Sequence, residues 1–310
     1  MKYRTEQEGD LLRIIALIDI RDHVKKGKKG GLIESERNLS QNGGCWVSDN
    51  AEVSGNAKVC GDARVSGDAR VSGEAKVSGH AKVYDDARVY GNAWVYGNAW
   101  VYGNAWLSGE AWVSGNAKVC ESSKVSGHAW VYDDARVYGN AWVSGNAIVS
   151  GEAKVSGEAK VYDDARVHGN AWVYGKAIVS GNARVYGNAW LSGDARIYGN
   201  AWVSGDAKVC GNAWVHGDAW VSGEAKVCGD ARVHGNAWLS GDARVSGNAE
   251  VSGNAKVCES SKVSGDARVC ESSKVYGNAW VYGNAIVSGD ARVYGNAWLS
   301  GDAEVYDDEI

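Results

Sequence analysis

From Val47 to Val305 an aliphatic residue returns at every sixth position, through forty-four consecutive hexapeptides without an insertion. Only Val, Leu or Ile occupies it, the exceptions to Val being Leu107, Leu191, Ile197, Leu239 and Leu299. Two positions earlier sits Ala, as in Ala51, Ala57 and Ala63. Side chains alternate across an extended strand, so Ala and Val in Ala-x-Val-x face one side while the residues between and after them face the other. Each strand leads into Gly and then Asn, Asp or Glu, residues that accept positive φ or bond their own backbone in a tight corner. Which of the two takes the positive φ is left open by the pattern. A repeat this short buries its apolar face only against neighbours along one axis, which predicts an all-β solenoid, a parallel β-helix. With three corners closing each coil of eighteen residues, the chain forms about fifteen coils, a rod roughly 70 Å long at the ~4.8 Å strand spacing.

Ser123, Ser261 and Ser273 replace the inward Ala, each inside the word Cys-Glu-Ser-Ser-Lys. A hydroxyl is accommodated there if it bonds to nearby backbone.

The hexapeptide Val53-Ser54-Gly55-Asn56-Ala57-Lys58 resembles the repeat of the hexapeptide-repeat superfamily: aliphatic, small or acidic, two variable, small, variable. The resemblance spans about 265 residues. It implies a single-stranded left-handed parallel β-helix of triangular section; the general preference for right-handed crossovers would imply the opposite hand.

Residues 1 to 45 differ in composition, holding the apolar run from Leu11 to Ile20 and the basic run Lys25-Lys26-Gly27-Lys28-Lys29. They predict a small β cap of one or two strands over the first coil, whose backbone would otherwise be unpaired. The expected division is therefore a cap, 1 to 45, and a β-helix, 46 to 310. The stretch from Gly30-Gly31 through Asn38-Leu39-Ser40-Gln41 to Cys45-Trp46 is similar to the start of bacterial β-helix proteins of the YdcK type, a family that brings no established activity with it. Glu6, Glu8 and Asp10 precede the apolar run and Arg13 interrupts it, which argues against a signal peptide. No stretch reaches the length of a membrane span, so no membrane partner and a cytoplasmic location are expected.

A net charge of −5 over 310 residues is small, with acids in the corners and bases on the strands. Ten of the eleven arginines in the repeats follow an Asp by two residues, as in Asp62-Ala63-Arg64. Such pairs are expected to offset the like charges that stacking places in columns. No basic stripe suited to nucleic acid is evident outside the cap. The seven cysteines are expected to be reduced thiols. Cys210 and Cys228, eighteen apart, are stacked neighbours for which a disulfide is conceivable; free thiols are the expectation.

All fifteen Trp occupy the outward position before the aliphatic residue, and fourteen of fifteen Tyr the one after it. Reading every eighteenth residue gives columns. One contains Trp94, Trp112 and Trp130 followed by Ile148, and later Trp202, Trp220 and Trp238. A second contains Trp172 with Trp190, and Trp280 with Trp298. Stacked aromatics strengthen cross-strand pairing, and exposed aromatic columns also serve as binding surfaces. Two partners fit: another copy of the chain, or a polysaccharide whose sugar faces stack on indoles. The chain ends at Tyr306-Asp307-Asp308-Glu309-Ile310. Those acids are either half of a head-to-tail contact with the basic cap, giving oligomers or fibres, or gatekeepers that keep the last edge soluble.

Many hexapeptide-repeat proteins are acyltransferases using coenzyme A donors, with a His base in a cleft partly built by an extruded loop. That resemblance implies an alternative activity, but no loop interrupts these repeats. His216 and His234 are stacked neighbours, a weak candidate metal pair with no third ligand placed by the period. Neither a three-histidine zinc set nor the Thr array of ice-binding β-helices is present. No cofactor is expected. The leading expectation is a non-enzymatic scaffold or interaction protein that associates with itself.

Overall fold

The computed structural model describes all 310 residues and contains two compact units, Met1–Glu152 and Ala153–Ile310. Neither contains an α-helix.

The first unit opens with three strands, β1 (Tyr3–Glu8), β2 (Leu11–Ala16) and β3 (Lys29–Ile33). β1 and β2 form an antiparallel hairpin, β3 runs antiparallel to β2, and β3 then pairs in parallel with Glu52–Val53. The cap is thus larger than the one or two strands expected. Ile33 stacks on Val53 and Leu39 on Val59, each twenty residues apart, while Val47 stacks on Val65, eighteen apart. An irregular first coil hides inside the cap because two extra residues break the period. Asn38, fully buried, donates to the carbonyls of Gly55 and Ala57 at 2.9 Å each, and Ser35 N–H donates to Asn38 Oδ1 at 2.7 Å. Gly44 N–H donates to Asp62 Oδ1 at 2.9 Å. The cap therefore satisfies backbone and side-chain groups that the first regular coil would leave unpaired. Trp46, read as outward, lies under the cap instead, edge-on to Tyr3 at 6.5 Å and 2% exposed.

Eighteen two-residue strands follow, from Trp46–Val47 to Ile148–Val149, making six coils of three. Each strand pairs in parallel with the third strand onward, so Val95, Val113 and Val131 stack directly. Strand N–H groups donate toward the next coil, as from Trp94 to Ala111 O at 2.9 Å and from Tyr96 to Val113 O at 3.0 Å. The second unit repeats this pattern with twenty-six strands, Lys154–Val155 to Glu304–Tyr306, between eight and nine coils. Together these match the expected number of coils. The Ala and Val of the repeats are almost all inaccessible to solvent, so the core is a narrow column of Ala and Val that also admits Leu107, Leu191, Ile197 and Leu239, all fully buried. Ser123, Ser261 and Ser273 are equally buried and donate to the carbonyls of Cys120, Cys258 and Cys270 at 2.6 to 2.7 Å.

The first corner residue takes the positive φ. Repeat glycines lie between 61° and 76°; where an acid stands instead, as in Asp85, Glu121, Asp163 or Glu271, φ is 57° to 60°. The acid's carboxylate then accepts the N–H of the Gly eighteen residues on, from Gly103 to Asp85 at 3.1 Å and from Gly139 to Glu121 at 2.8 Å. That bond repays part of the cost of the left-handed conformation.

Candidate functional site

The residue before each interior Val points outward because its neighbour points in, and parallel in-register pairing places such residues one strand spacing apart. In the first unit this brings Trp94, Trp112 and Trp130 into a ladder, with ring centroids 5.0 and 4.9 Å apart and planes within 5°. In the second, Trp202, Trp220 and Trp238 stack at 4.9 and 5.2 Å within 6°, and Trp280 and Trp298 at 5.2 Å and 11°. Trp172 and Trp190 also meet at 5.2 Å but edge to face, at 77°. Every predicted aromatic neighbour is therefore in contact.

The faces of these rings are largely covered. Trp94 carries Lys76 on one face at 4.4 Å and Trp112 on the other. Arg184 lies over Trp202 at 5.3 Å and Lys256 over Trp238 at 5.6 Å. Two isolated indoles are sandwiched by cations, Trp100 between Lys82 and Lys118, and Trp214 between Arg196 and Arg232. Each such contact contributes roughly 0.5–1 kcal/mol at an exposed site. The ladder indoles still exposed most are those at the ends of their stacks: Trp298 is 65%, Trp130 44% and Trp238 41% exposed. Beside the first ladder, Tyr96, Trp112, Ser114, Trp130 and Tyr132 line a groove of about 140 Å³. In the second unit Lys226, Arg244, Lys262, Trp280, Glu224 and Asp242 are among the residues lining a cleft of about 370 Å³.

The expected Asp-x-Arg pairing is corrected at its first example. Asp62 pairs with Arg21 at 2.6 Å and faces His80 at 3.5 Å, while Arg64 reaches the His23 ring at 3.1 Å. A two-residue step turns the corner and separates the two side chains, whereas residues one coil away are adjacent. Corner polar residues pair the same way: Asn98 donates to Asn116, and Asn116 to Asp134, at 3.2 and 3.0 Å.

His216 and His234 stack at 4.9 Å and 3°, continuing a pile begun by Tyr198. His234 Nε2 is 2.7 Å from Glu250 Oε1, and no group of three ligating side chains assembles there. Burial, then the neighbouring His234 and Arg232, hold His216 below the ordinary imidazole pKa, with Glu250 opposing. A lowered folded pKa means that the native state binds fewer protons, so this stabilisation is complete above the ordinary value near ~6.5 and is lost as pH falls through the folded value. Thermal midpoints should therefore fall between neutral and mildly acid pH, less so in a His216→Tyr variant; an unchanged slope in that variant would exclude His216 as the cause.

The two cysteines expected as free thiols, Cys210 and Cys228, form a disulfide. Stacking in register sets their Cα atoms 4.6 Å apart, within disulfide reach, which is the physical reason for the correction. Cys45, Cys60, Cys120, Cys258 and Cys270 are free. Cys45 is buried in the cap, where Lys2 Nζ donates to its carbonyl at 2.9 Å and to its sulfur at 3.1 Å; burial pushes its thiol pKa up, with Lys2 opposing.

The uninterrupted coils, with their glycine or acid corners, agree with a family description. The model of the YdcK β-solenoid repeat matches residues 57–73, 63–79, 81–97, 129–145, 159–175, 177–193, 273–289 and 287–301. These stretches of the β-helix are similar to YdcK-type β-solenoid repeats.

Among solved structures, the UDP-N-acetylglucosamine acyltransferase of Francisella novicida is 14% identical at a TM-score of 0.30. That match covers 59% of this chain and 66% of the other, so the chain spans just under two thirds of that enzyme. A candidate acetyltransferase from Desulfovibrio desulfuricans is 8% identical at a TM-score of 0.25, covering 97% of this chain and 70% of the other. No curated protein sequence matches the chain. No helix is long and apolar enough to cross a membrane.

Within the repeats, the linear sequence reveals the Trp columns but not the cations over the rings or the Asn ladders. The signal for both was present: writing the sequence eighteen residues to a line places Lys76 beside Trp94 and Asn98 beside Asn116.

Proposed function

We propose that this β-solenoid is a non-enzymatic scaffold that associates with copies of itself along its outward columns. The observation that supports this reading is the covering of the indole faces. A sugar stacks on an open ring face, but in the Trp202 ladder each face is occupied by another indole or by a cation, and in the Trp94 ladder by Lys76, another indole or, beyond Trp130, Ile148; Trp298, 65% exposed at the end of its column, is the exception. A strip of covered indoles suits a second protein surface better than a polysaccharide. Repetition supports the same reading, because the outward words recur along the chain, whereas catalysis requires one set of residues at one place.

Light scattering coupled to size-exclusion chromatography, over a concentration series, tests it. The expected result is a mass that rises with concentration. A monomer at every concentration would refute self-association, and quenching of Trp fluorescence by an oligosaccharide would then favour the carbohydrate-binding alternative. A discrete trimer retaining acyl-coenzyme A would instead favour an acyltransferase.

A further inference from the structure

Sorted into columns, the outward strand residues of the second unit place both strand acids, Glu250 and Glu304, in one column, among arginines, and none in the other two. The column from Arg166 to Arg292 pairs in register through eight successive strands with no acid among them, and Glu309 bridges to Arg292 at its end. It leaves the Trp202 ladder through three consecutive cations, Lys256, Lys274 and Arg292. On one corner of the same unit, Asp194, Asp230, Asp266 and Asp302 recur every second coil with Asn212, Asn248 and Asn284 between them. Each Asn amide donates to the next Asp, at 2.8 Å to Asp230, 2.8 Å to Asp266 and 2.9 Å to Asp302. These bonds orient the carboxylates in a row, about 10 Å apart from the strand spacing.

We propose that copies associate corner to face, the Asp and Asn corner of one lying along the Lys256, Lys274 and Arg292 stretch of the next. The proposal rests on the self-associating reading above and names its contact. Lys256 and Arg292 are two coils apart, as are Asp230 and Asp266, so a second copy carries its acids at the spacing of the cations because both follow the same coil period. Asp218, Glu271 and Asp290 stand on the corner beside this face. They oppose a densely charged polyanion and tolerate a sparse row of one carboxylate per two coils. The contact joins different surfaces of the two copies, so it propagates laterally rather than closing into a dimer.

The test uses the full chain and two charge-reversed variants. One carries Lys256→Glu, Lys274→Glu and Arg292→Glu; the other carries Asp230→Lys and Asp266→Lys. All five positions lie on outward strand or corner sites. Wild-type assembly should be present at low ionic strength and lost near 1 M salt, where the screening length is about 3 Å. Each variant alone should remain monomeric, and a one-to-one mixture should assemble again, since its faces and corners are once more of opposite sign. Assembly that persists in salt and in both variants would overturn the corner-to-face contact while leaving association through the Trp columns intact. A wild type monomeric at low salt would overturn both. Failure of two folded variants to assemble on mixing would also overturn the contact, as would a monomeric wild type held on a polyanionic resin by this face.

Discussion

Gly211→Val should destabilise its coil by about 3 kcal/mol or more, whereas Gly211→Asp should cost about 1 kcal/mol or less. Gly211 has φ 69°, and a Cβ there would lie 2.9 Å from Gly229 O and 3.0 Å from Gly229 N. Valine adds a branched Cβ to a conformation that L-residues adopt at a cost, against backbone that is itself held by the next coil. Aspartate occupies the equivalent position at Asp163, with φ 59°, and accepts the Gly181 N–H at 3.1 Å. Its carboxylate offsets strain that valine leaves uncompensated. Denaturant midpoints and hydrogen exchange in the adjoining coils would measure the difference. Equal losses for the two variants would show that the corner selects for size alone and that the carboxylate bond contributes nothing.

Reducing Cys210–Cys228 should lower stability by about 3 kcal/mol, the chain-entropy value for a loop near this length. The bond spans eighteen residues, one full coil, and ties two adjacent coils on the outside of the second unit. The thermal midpoint should fall when reductant is added, and a Cys210→Ser/Cys228→Ser double variant should sit at the reduced value with or without it. Alkylation of the protein denatured without reductant, which exposes the buried Cys45 and Cys120, should label five cysteines, in keeping with the free thiols. Seven labelled cysteines would overturn the bridge.

The interior was legible because its rule is local. Ala and Val two apart share a face by strand geometry alone, and the buried Ser substitutions needed only a carbonyl within reach, which Cys120, Cys258 and Cys270 provide. The Trp ladders were legible for the same reason once the eighteen-residue coil was known. The positive φ at the first corner position was also latent in the sequence, since acids replace Gly only there. Its meaning depended on the Gly N–H one coil away.

The cap resisted such reading because its coil takes twenty residues, so Ile33 and Leu39 fall out of step with the valines they stack on. Trp46 followed the outward pattern and was buried by strands that carry no repeat. Asp62 and Arg64 are close in sequence and separated by a corner, while Asp62 and Arg21 are distant in sequence and joined by the cap.

By itself, the sequence determined the all-β repeat and the Ala and Val core, because a strict period turns sequence separation into position; three corners per coil, implied by the family resemblance and shown by pairing eighteen residues apart, then set the membership of each outward column. Tertiary structure alone decided which neighbours across coils make contact: indole on indole, cation on indole, Asn on Asp and Cys210 on Cys228. Those contacts depend on side-chain orientation within a stack about 4.8 Å in rise, which periodicity locates but does not aim.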